Sequence, residues 1–369
     1  MTAEAPVERV SAAVYRIPTD APEADGTIAW DSTTMVVVTV SGGGRTGLGA
    51  SYTAPAAAQL VEQTLAPVVT GGCALDVTAA YQTMQRAVRN VGRPGIAATA
   101  ISAVDIALWD LKARLLSLSL ARLLGVVHPA VPVYGSGGFT TYDQRQLAAQ
   151  LGGWVHEQGI PRVKMKIGES WGTNVTRDLS RIRHARQLIG PAAELYVDAN
   201  GGYARKQAIR VAHAAAEHDI TWFEEPISSD DLDGLRQVRD AVTADVAAGE
   251  YGYDLPYFAK MIGAGAVDCL QADVTRCGGI TEWRNIAALA AAGGLQISGH
   301  CAPHLHLDVA AATPNLRHLE WFHDHVRIES MLFEGAAVPD PGGMLKPDLS
   351  TPGHGLVLSR ARAEPHRIG

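Results

Sequence analysis

Ionisable residues recur along the middle of this 369-residue chain at the spacing of one strand plus one helix. Lys164 and Lys166 are followed by Asp198, Glu224, Glu250, Asp273, His300 and Glu320, at intervals of roughly 20 to 32 residues, each the length of one strand–helix unit. They fall in, at or just past short strand-like runs. These runs are VPVYG (131–135), RVKMKI (162–167), ELYVD (194–198), ITWFE (220–224), DVAAG (245–249), CLQAD (269–273), LQISG (295–299) and LRHLE (316–320). Ala-rich segments of helical spacing lie between them, such as 206–218 and 281–292. Eight strands mostly followed by helices predict a (β/α) barrel, with an open doubly wound sheet as the alternative. A barrel brings all such strand ends to one rim, so the eight ionisable groups are expected at one mouth.

The flanking segments have a different texture. Residues 1–128 read as an α+β domain. TTMVVVTV (33–40) is rich in β-branched residues, Gly42 to Gly44 make a turn, and a second strand is expected over 48–52. A long helix is predicted over 97–124, stopped by Gly125. The barrel occupies 129–325. The last stretch, 326–369, holds Pro/Gly turns and a strand-like Leu356–Leu358, and is expected to return to the first domain. The segment 19–32 is expected to form a loop over the barrel mouth. Its polar residues, including Asp20, Glu23, Asp25 and Ser32, suit a hydroxylated ligand.

Composition excludes several function classes. A net charge of −7 without a Lys/Arg cluster argues against nucleic acid and anionic membranes. No apolar run is long enough to span a bilayer, and Glu4 and Glu8 stand where a secretory leader would be apolar. Cys73, Cys269, Cys277 and Cys301 form no CxxC pair, which suits free thiols in a reducing, cytoplasmic setting. Leu48 follows Gly47 where a phosphate loop needs lysine, so the glycines at 42–49 do not bind a nucleotide. The HxH pair His304/His306 follows the seventh strand rather than lying on the first, against a barrel metallohydrolase.

Asp198, Glu224 and Glu250 are carboxylates on consecutive strands, and hard oxygen ligands suit Mg²⁺. Lys164 and Lys166 point to one face of their strand, and their mutual repulsion is expected to lower the pKa of one as a base. Asp273 and His300 on adjacent strands suit a carboxylate-oriented imidazole. A protonated Glu320 is expected to donate to a substrate carboxylate. Such a set suits removal of the weakly acidic hydrogen beside a carboxylate, because it stabilises the dianionic enediolate that forms. His304, His306, His318, His323 and His325 are read as structural.

The chain resembles the enolase superfamily and, within it, the mandelate racemase group. The likeness is carried by ISAVDIALWDLKARLL (101–116), VKMKIG (163–168), YVDAN (196–200), WFEEP (222–226), AAGE (247–250), QADVTRCGGITEW (271–283), SGH (298–300) and HLEW (318–321). It implies a modified (β/α)7β barrel whose α+β capping domain is built from the N-terminal segment and the C-terminal tail. It also implies Mg²⁺ held by Asp198, Glu224 and Glu250, bases at Lys166 and His300, Asp273 as partner of His300, and Lys164 and Glu320 on the substrate carboxylate. Dehydration of an acid sugar is the activity it favours, with racemisation, epimerisation or cycloisomerisation as the alternative and an inactive binding protein as a remote one. The partner expected is a small carboxylate substrate, on a homo-oligomer. Ala50-Ser51 stands where many relatives place a glutamate, which bears on the substrate.

Overall fold

The computed structural model describes residues 5–369; Glu4 lies outside the described residues. Three antiparallel strands open the chain: β1 (Arg9–Ala24), β2 (Ala29–Gly42) and β3 (Arg45–Tyr52). The β-branched run of β2 lies in the middle of this sheet, and Met35 to Val38 are buried on both faces. Gly43 and Gly44, at φ +57° and +69°, join β2 to β3 in a two-residue turn that demands positive φ twice. Where a loop was expected over 19–32, the β1–β2 ribbon instead continues past a register shift between Pro18 and Glu23. It turns at Asp25, whose Oδ1 accepts the N–H groups of Thr27 (2.5 Å) and Ile28 (2.8 Å). An aspartate at this place in a turn satisfies backbone donors that a ladder would otherwise use.

The helix predicted over 97–124 is two helices, α1 (Ile96–Leu115) and α2 (Leu120–Leu124). Ser117 breaks it at φ 55°, and the Ser119 hydroxyl accepts from the Arg122 N–H as an N-cap. The alternating Ser-Leu-Ser-Leu there favours capping over helix continuation. Helix α1 is apolar nearly all round because it lies between β3 and the barrel helix Gly279–Ala292. Asp105 of α1 accepts Thr281 N–H (2.9 Å) and Oγ–H (2.6 Å), and Trp109 Nε1–H donates to Thr281 Oγ1 (2.9 Å). Two motifs far apart in sequence thus clamp the cap to the barrel.

Eight parallel strands close on themselves: β4 (Val131–Gly137), β5 (Arg162–Lys166), β6 (Glu194–Asp198), β7 (Ile220–Glu224), β8 (Asp245–Ala248), β9 (Cys269–Ala272), β10 (Gln296–Gly299) and β11 (Leu316–Phe322). Neighbours pair in chain order and β11 returns to β4, which excludes the open sheet. Inside, Tyr134, Tyr196, Trp222, Ala247 and Cys269 form a separate buried cluster, joined by the ring of His318 at 4.7 Å from Tyr134 and 5.0 Å from Trp222. This plug is the floor of the mouth, and His318 is structural as expected.

The chain beyond β11 folds back on the opening elements. The Leu120 N–H donates to Gly353 O (2.7 Å) and the Ile368 N–H to Val14 O (2.8 Å). The strand expected near 356–358 is Val357–Leu358, paired with Phe333–Glu334.

Candidate active site

The ends of β5 to β11 aim the ionisable side chains into the mouth, β5 two of them and each later strand one. Gly249 adopts φ +136°, and a Cβ there would lie 2.0 Å from Gln271 O, so only glycine lets Glu250 follow β8 inward. Asn200, Glu225 and Cys301, each one or two residues past a strand-end ionisable group, have φ of 45°, 36° and 51°. Such conformations cost about 1–3 kcal/mol each and gather where function overrides local preference.

All eight sequence-predicted residues are at this rim, and all are buried. Lys164 Nζ contacts Glu224 Oε1, with Glu320 Oε1 at 2.8 Å and Asp198 Oδ2 at 3.4 Å. Lys166 Nζ lies 2.5 Å from Asp198 Oδ2. Across the mouth, His300 Nδ1 donates to Asp273 Oδ2 at 2.8 Å, and Asp273 Oδ1 accepts the N–H and hydroxyl of Thr275, both at 2.7 Å. His300 Nε2 is therefore the ring atom turned to the mouth, 3.3 Å from Cys301 Sγ and 3.4 Å from Glu250 Oε2.

Two electrostatic expectations are corrected by this geometry. Burial lowers the pKa of both lysines, but for Lys164 the carboxylates of Glu224 and Glu320 win, and for Lys166 that of Asp198. Both rise above the ordinary value, since carboxylates at contact distance outweigh one neighbouring ammonium. Glu320 is not a protonated donor. Burial pushes its pKa up, yet Lys164, His300 and Lys166 hold it well below the carboxylate range, and it accepts from Ser136 Oγ–H (2.6 Å) and Cys301 N–H (2.8 Å). Burial also opposes a charged His300, but Glu250 and the Asp273 hydrogen bond keep its pKa above the ordinary value.

The carboxylates of Asp198, Glu224 and Glu250 offer oxygens within 4.8 Å of one another. Glu250 Oε2 and Asn200 Oδ1 beside them are buried with no hydrogen-bond partner among the described residues. Burial and the neighbouring Asp198 and Glu320 raise the pKa of Glu224 despite Lys164, so the anions exceed what the lysines compensate. An all-oxygen set with surplus negative charge and unspent acceptors fits a hard divalent cation.

The cap closes the mouth into a cavity of about 510 Å³. Ser51 does not face it; its hydroxyl donates to Thr275 O (2.7 Å) and ties β3 to the loop after Asp273. Tyr52 is the residue of that strand that reaches the cavity, stacked on His325 with ring centroids 3.4 Å apart. His325, expected to be structural, therefore lines the cavity, as do Trp30, Asn200, Arg276 and Cys301, which the sequence reading passed over. Asn200 and Arg276 lie inside the motifs YVDAN and QADVTRCGGITEW, Cys301 directly follows SGH and Trp30 lies in the segment 19–32 expected over the mouth; His325 carries no local signal.

Capped barrels that set lysines and a histidine around an oxygen-only ligand cluster make up the enolase superfamily. Residues 146–362 match the family model described as enolase C-terminal domain-like, and 11–125 that of the mandelate racemase/muconate lactonizing enzyme N-terminal domain. The chain belongs to the mandelate racemase/muconate lactonizing enzyme family. It is 33% identical over 369 residues to 3,6-anhydro-alpha-L-galactonate cycloisomerase of Streptomyces coelicolor, covering 98% of this chain and 100% of that one. A mandelate racemase/muconate lactonizing enzyme-like protein of Rubrobacter xylanophilus superposes with a TM-score of 0.95 at 49% identity, over 98% and 100% of the two chains. L-talarate/galactarate dehydratase of Salmonella typhimurium LT2, liganded with Mg and L-lyxarohydroxamate, superposes with a TM-score of 0.89 at 28% identity, over 100% and 94%.

Proposed function

We propose that this chain is an acid-sugar dehydratase that removes the proton beside a substrate carboxylate. The observation that carries this reading is the ligand-spaced oxygen cluster, with Lys166 2.5 Å from Asp198 and the Asp273–His300 pair beside Glu250. Asp198, Glu224 and Glu250 would hold Mg²⁺, which supplies positive charge against the substrate carboxylate and balances the anions that otherwise claim Lys164 and Lys166.

The chain's own residues then have distinct tasks. Lys166 as the free amine takes the α-proton, and the electron pair moves into the carboxylate to give the enediolate. Lys164 holds that carboxylate as charge grows on it, and Glu320 and Ser136 fix Lys164 and its surroundings. The bond from the β-carbon to its hydroxyl then breaks, and His300, held by Asp273, gives its proton to the leaving oxygen as water departs. The enol left behind tautomerises to a 2-keto-3-deoxy acid.

Cycloisomerisation is the second reading, favoured by the full-length likeness to the Streptomyces cycloisomerase. An anhydro ring whose C–O bond is β to the carboxylate opens by the same elimination, and the leaving oxygen stays on the product. The proposed division of labour puts residues 129–325 in the catalytic barrel and 1–128 with 326–369 in the cap. Homo-oligomer assembly and a cytoplasmic setting belong to the same proposal. The four cysteines are free, and no helix among the described residues is long and apolar enough to cross a membrane.

Proton NMR of the Mg²⁺-loaded protein with acid sugars in D₂O tests the reading. Loss of the α-proton with a new methylene signal is dehydration. Ring opening without loss of water selects the cycloisomerase, and exchange with epimer formation selects the racemase-type outcome. Absence of exchange across five- and six-carbon acids, together with absent Mg²⁺ binding by calorimetry, would overturn it.

A further inference from the structure

The cavity has two ends of opposite chemistry. At the barrel end stand Lys166, Asn200, Glu250, Arg276 and His300. The cap supplies Asp25, Trp30, Ser32, Thr33 and Thr53, and His325, just past β11, joins them through its stack on Tyr52. Lys166 and Arg276 are the only Lys or Arg side chains among the described lining residues. Neither is free for a distant group. Lys166 is 2.5 Å from Asp198, while Arg276 reaches Glu250 Oε1 and Asp273 Oδ2, both at 3.5 Å.

The cap end offers hydroxyl oxygens that can accept, one imidazole N–H, an aromatic face and negative charge. The hydroxyl protons of Ser32 and Thr33 go to Asp31 and Asp324, and that of Thr53 to Thr99. His325 Nδ1 accepts the Ala302 N–H at 3.2 Å, which puts the ring proton on Nε2 and leaves the imidazole uncharged. Burial and the nearby His300 push its pKa down to about 3, so it stays uncharged near neutral pH. Trp30 gives its indole N–H to Glu23 Oε2 (2.7 Å) and so meets the cavity with its ring alone. Asp25 lines this end, and Asp324 lies behind it, bonded by the Thr33 hydroxyl.

A carboxylate placed at the cap end would lose water, find no cation and face Asp25. A hydroxylated, uncharged end loses nothing of the kind: its C–H face packs on Trp30 and its hydroxyls meet Thr33, Thr53 and His325. We infer that the substrate carries one carboxylate only, bound at the barrel end, with a neutral polyhydroxy or anhydro-ring end under the cap: an aldonate-type acid rather than an aldarate. The inference rests on the proposed function for the place of the first carboxylate. It also decides between relatives, since a galactonate derivative has one carboxylate and galactarate two.

The test compares stereochemically matched aldonate and aldarate pairs of five and six carbons, including galactonate with galactarate and gluconate with glucarate. The Mg²⁺-loaded full chain is followed by α-proton exchange, by kcat/KM, and separately by ligand-induced Tm shift. Monoacids are expected to exceed their matched diacids by at least about 100-fold in kcat/KM, the scale set by like-charge juxtaposition in a desolvated site. Ile28→Arg, at a position 61% exposed on the cavity edge, is expected to narrow that ratio about 10-fold by adding the missing cation. Equal or better use of diacids, or a ratio unchanged by Ile28→Arg, would overturn the inference. If monoacids alone raise Tm while no acid exchanges its α-proton, the one-carboxylate inference stands and the proton-abstraction reading fails. If diacids raise Tm as much as monoacids do, the inference fails whatever the chemistry.

Discussion

His300 Nδ1 lies 2.8 Å from Asp273 Oδ2, and both side chains are buried. A carboxylate can only accept, so this contact fixes the ring proton on Nδ1 and turns Nε2 toward the mouth. Asp273→Asn keeps the shape but offers an amide that can donate to Nδ1 instead. The neutral ring then carries its proton on Nε2 with Nδ1 as acceptor, and its charged form loses its partner. We expect turnover to fall by about 10²–10⁴-fold, the usual range for a general acid–base group. Lys166 is untouched by this change, so α-proton exchange in D₂O should outlast product formation. Equal loss of exchange and turnover would show that His300, rather than Lys166, takes the proton.

Metal removal should silence the chain and soften it. Chelation leaves Asp198, Glu224 and Glu250 crowded in a buried site, so the stripped protein is expected to melt lower and regain its Tm with Mg²⁺. Saturation at 100 times Kd adds about 2.7 kcal/mol. Glu224→Gln removes one charged ligand and should shift the Mg²⁺ titration to higher concentration in calorimetry. An identical isotherm in that variant would take Glu224 out of the ligand set.

The strand-end set was legible because a barrel converts a repeating distance along the chain into nearness at one rim. Asp198, Glu224, Glu250, Asp273, His300 and Glu320 could thus be gathered before any contact was known. What surrounds them was not legible. The ring of Trp30 reaches the cavity through the register of a β1–β2 ribbon shifted between Pro18 and Glu23, which no local pattern announces. Tyr52 and His325 stack across 3.4 Å from elements at opposite ends of the chain. The sign of the lysine shifts also escaped, because it turns on ångström-scale distances to carboxylates on other strands. The break at Ser117 was written in the Ser-Leu-Ser-Leu pattern, but the apolar spacing on both sides outweighed it in a helical reading.

Stability should fall as pH rises past neutrality, through a pair outside the proposed chemistry. His304 Nδ1 contacts Glu329 Oε2, and its Nε2 lies 2.7 Å from Ala337 O. Both ring nitrogens face oxygen acceptors, an arrangement only imidazolium satisfies fully. Burial works against that charge, but the Glu329 hydrogen bond and charge prevail and raise the His304 pKa. The folded state therefore holds this proton more tightly than the unfolded chain, whose histidine titrates near about 6.5. The stabilisation is complete below that pH and is lost as pH rises through the folded value. Thermal melts at fixed ionic strength should show Tm declining above about pH 6.5, and Glu329→Gln should flatten the slope. An unchanged slope in that variant would assign the pH dependence to other groups.

The cap owes its seat over the cavity to two glycines of β3. A Cβ at Gly49 would lie 2.2 Å from Ala103 O and 2.6 Å from Ala107 N, and one at Gly47 would lie 2.1 Å from Ala107 O. Strand and helix α1 therefore touch backbone to backbone, and no rotamer change can make room. Gly49→Ala has to push β3 off α1, at a cost of about 1–3 kcal/mol or more. Tyr52 sits at the end of the same strand, so the displacement also reaches the cavity wall, and KM should rise with the loss of stability. Gly44→Ala is the control: its Cβ meets nothing within 4 Å, and only its φ of +69° is strained. That change is expected to cost about 1–2 kcal/mol, with KM unaltered. Urea midpoints and KM for the two variants separate a close-packed seat from a merely strained turn. Wild-type values for Gly49→Ala would mean that the sheet of the cap does not rest on α1 through this strand.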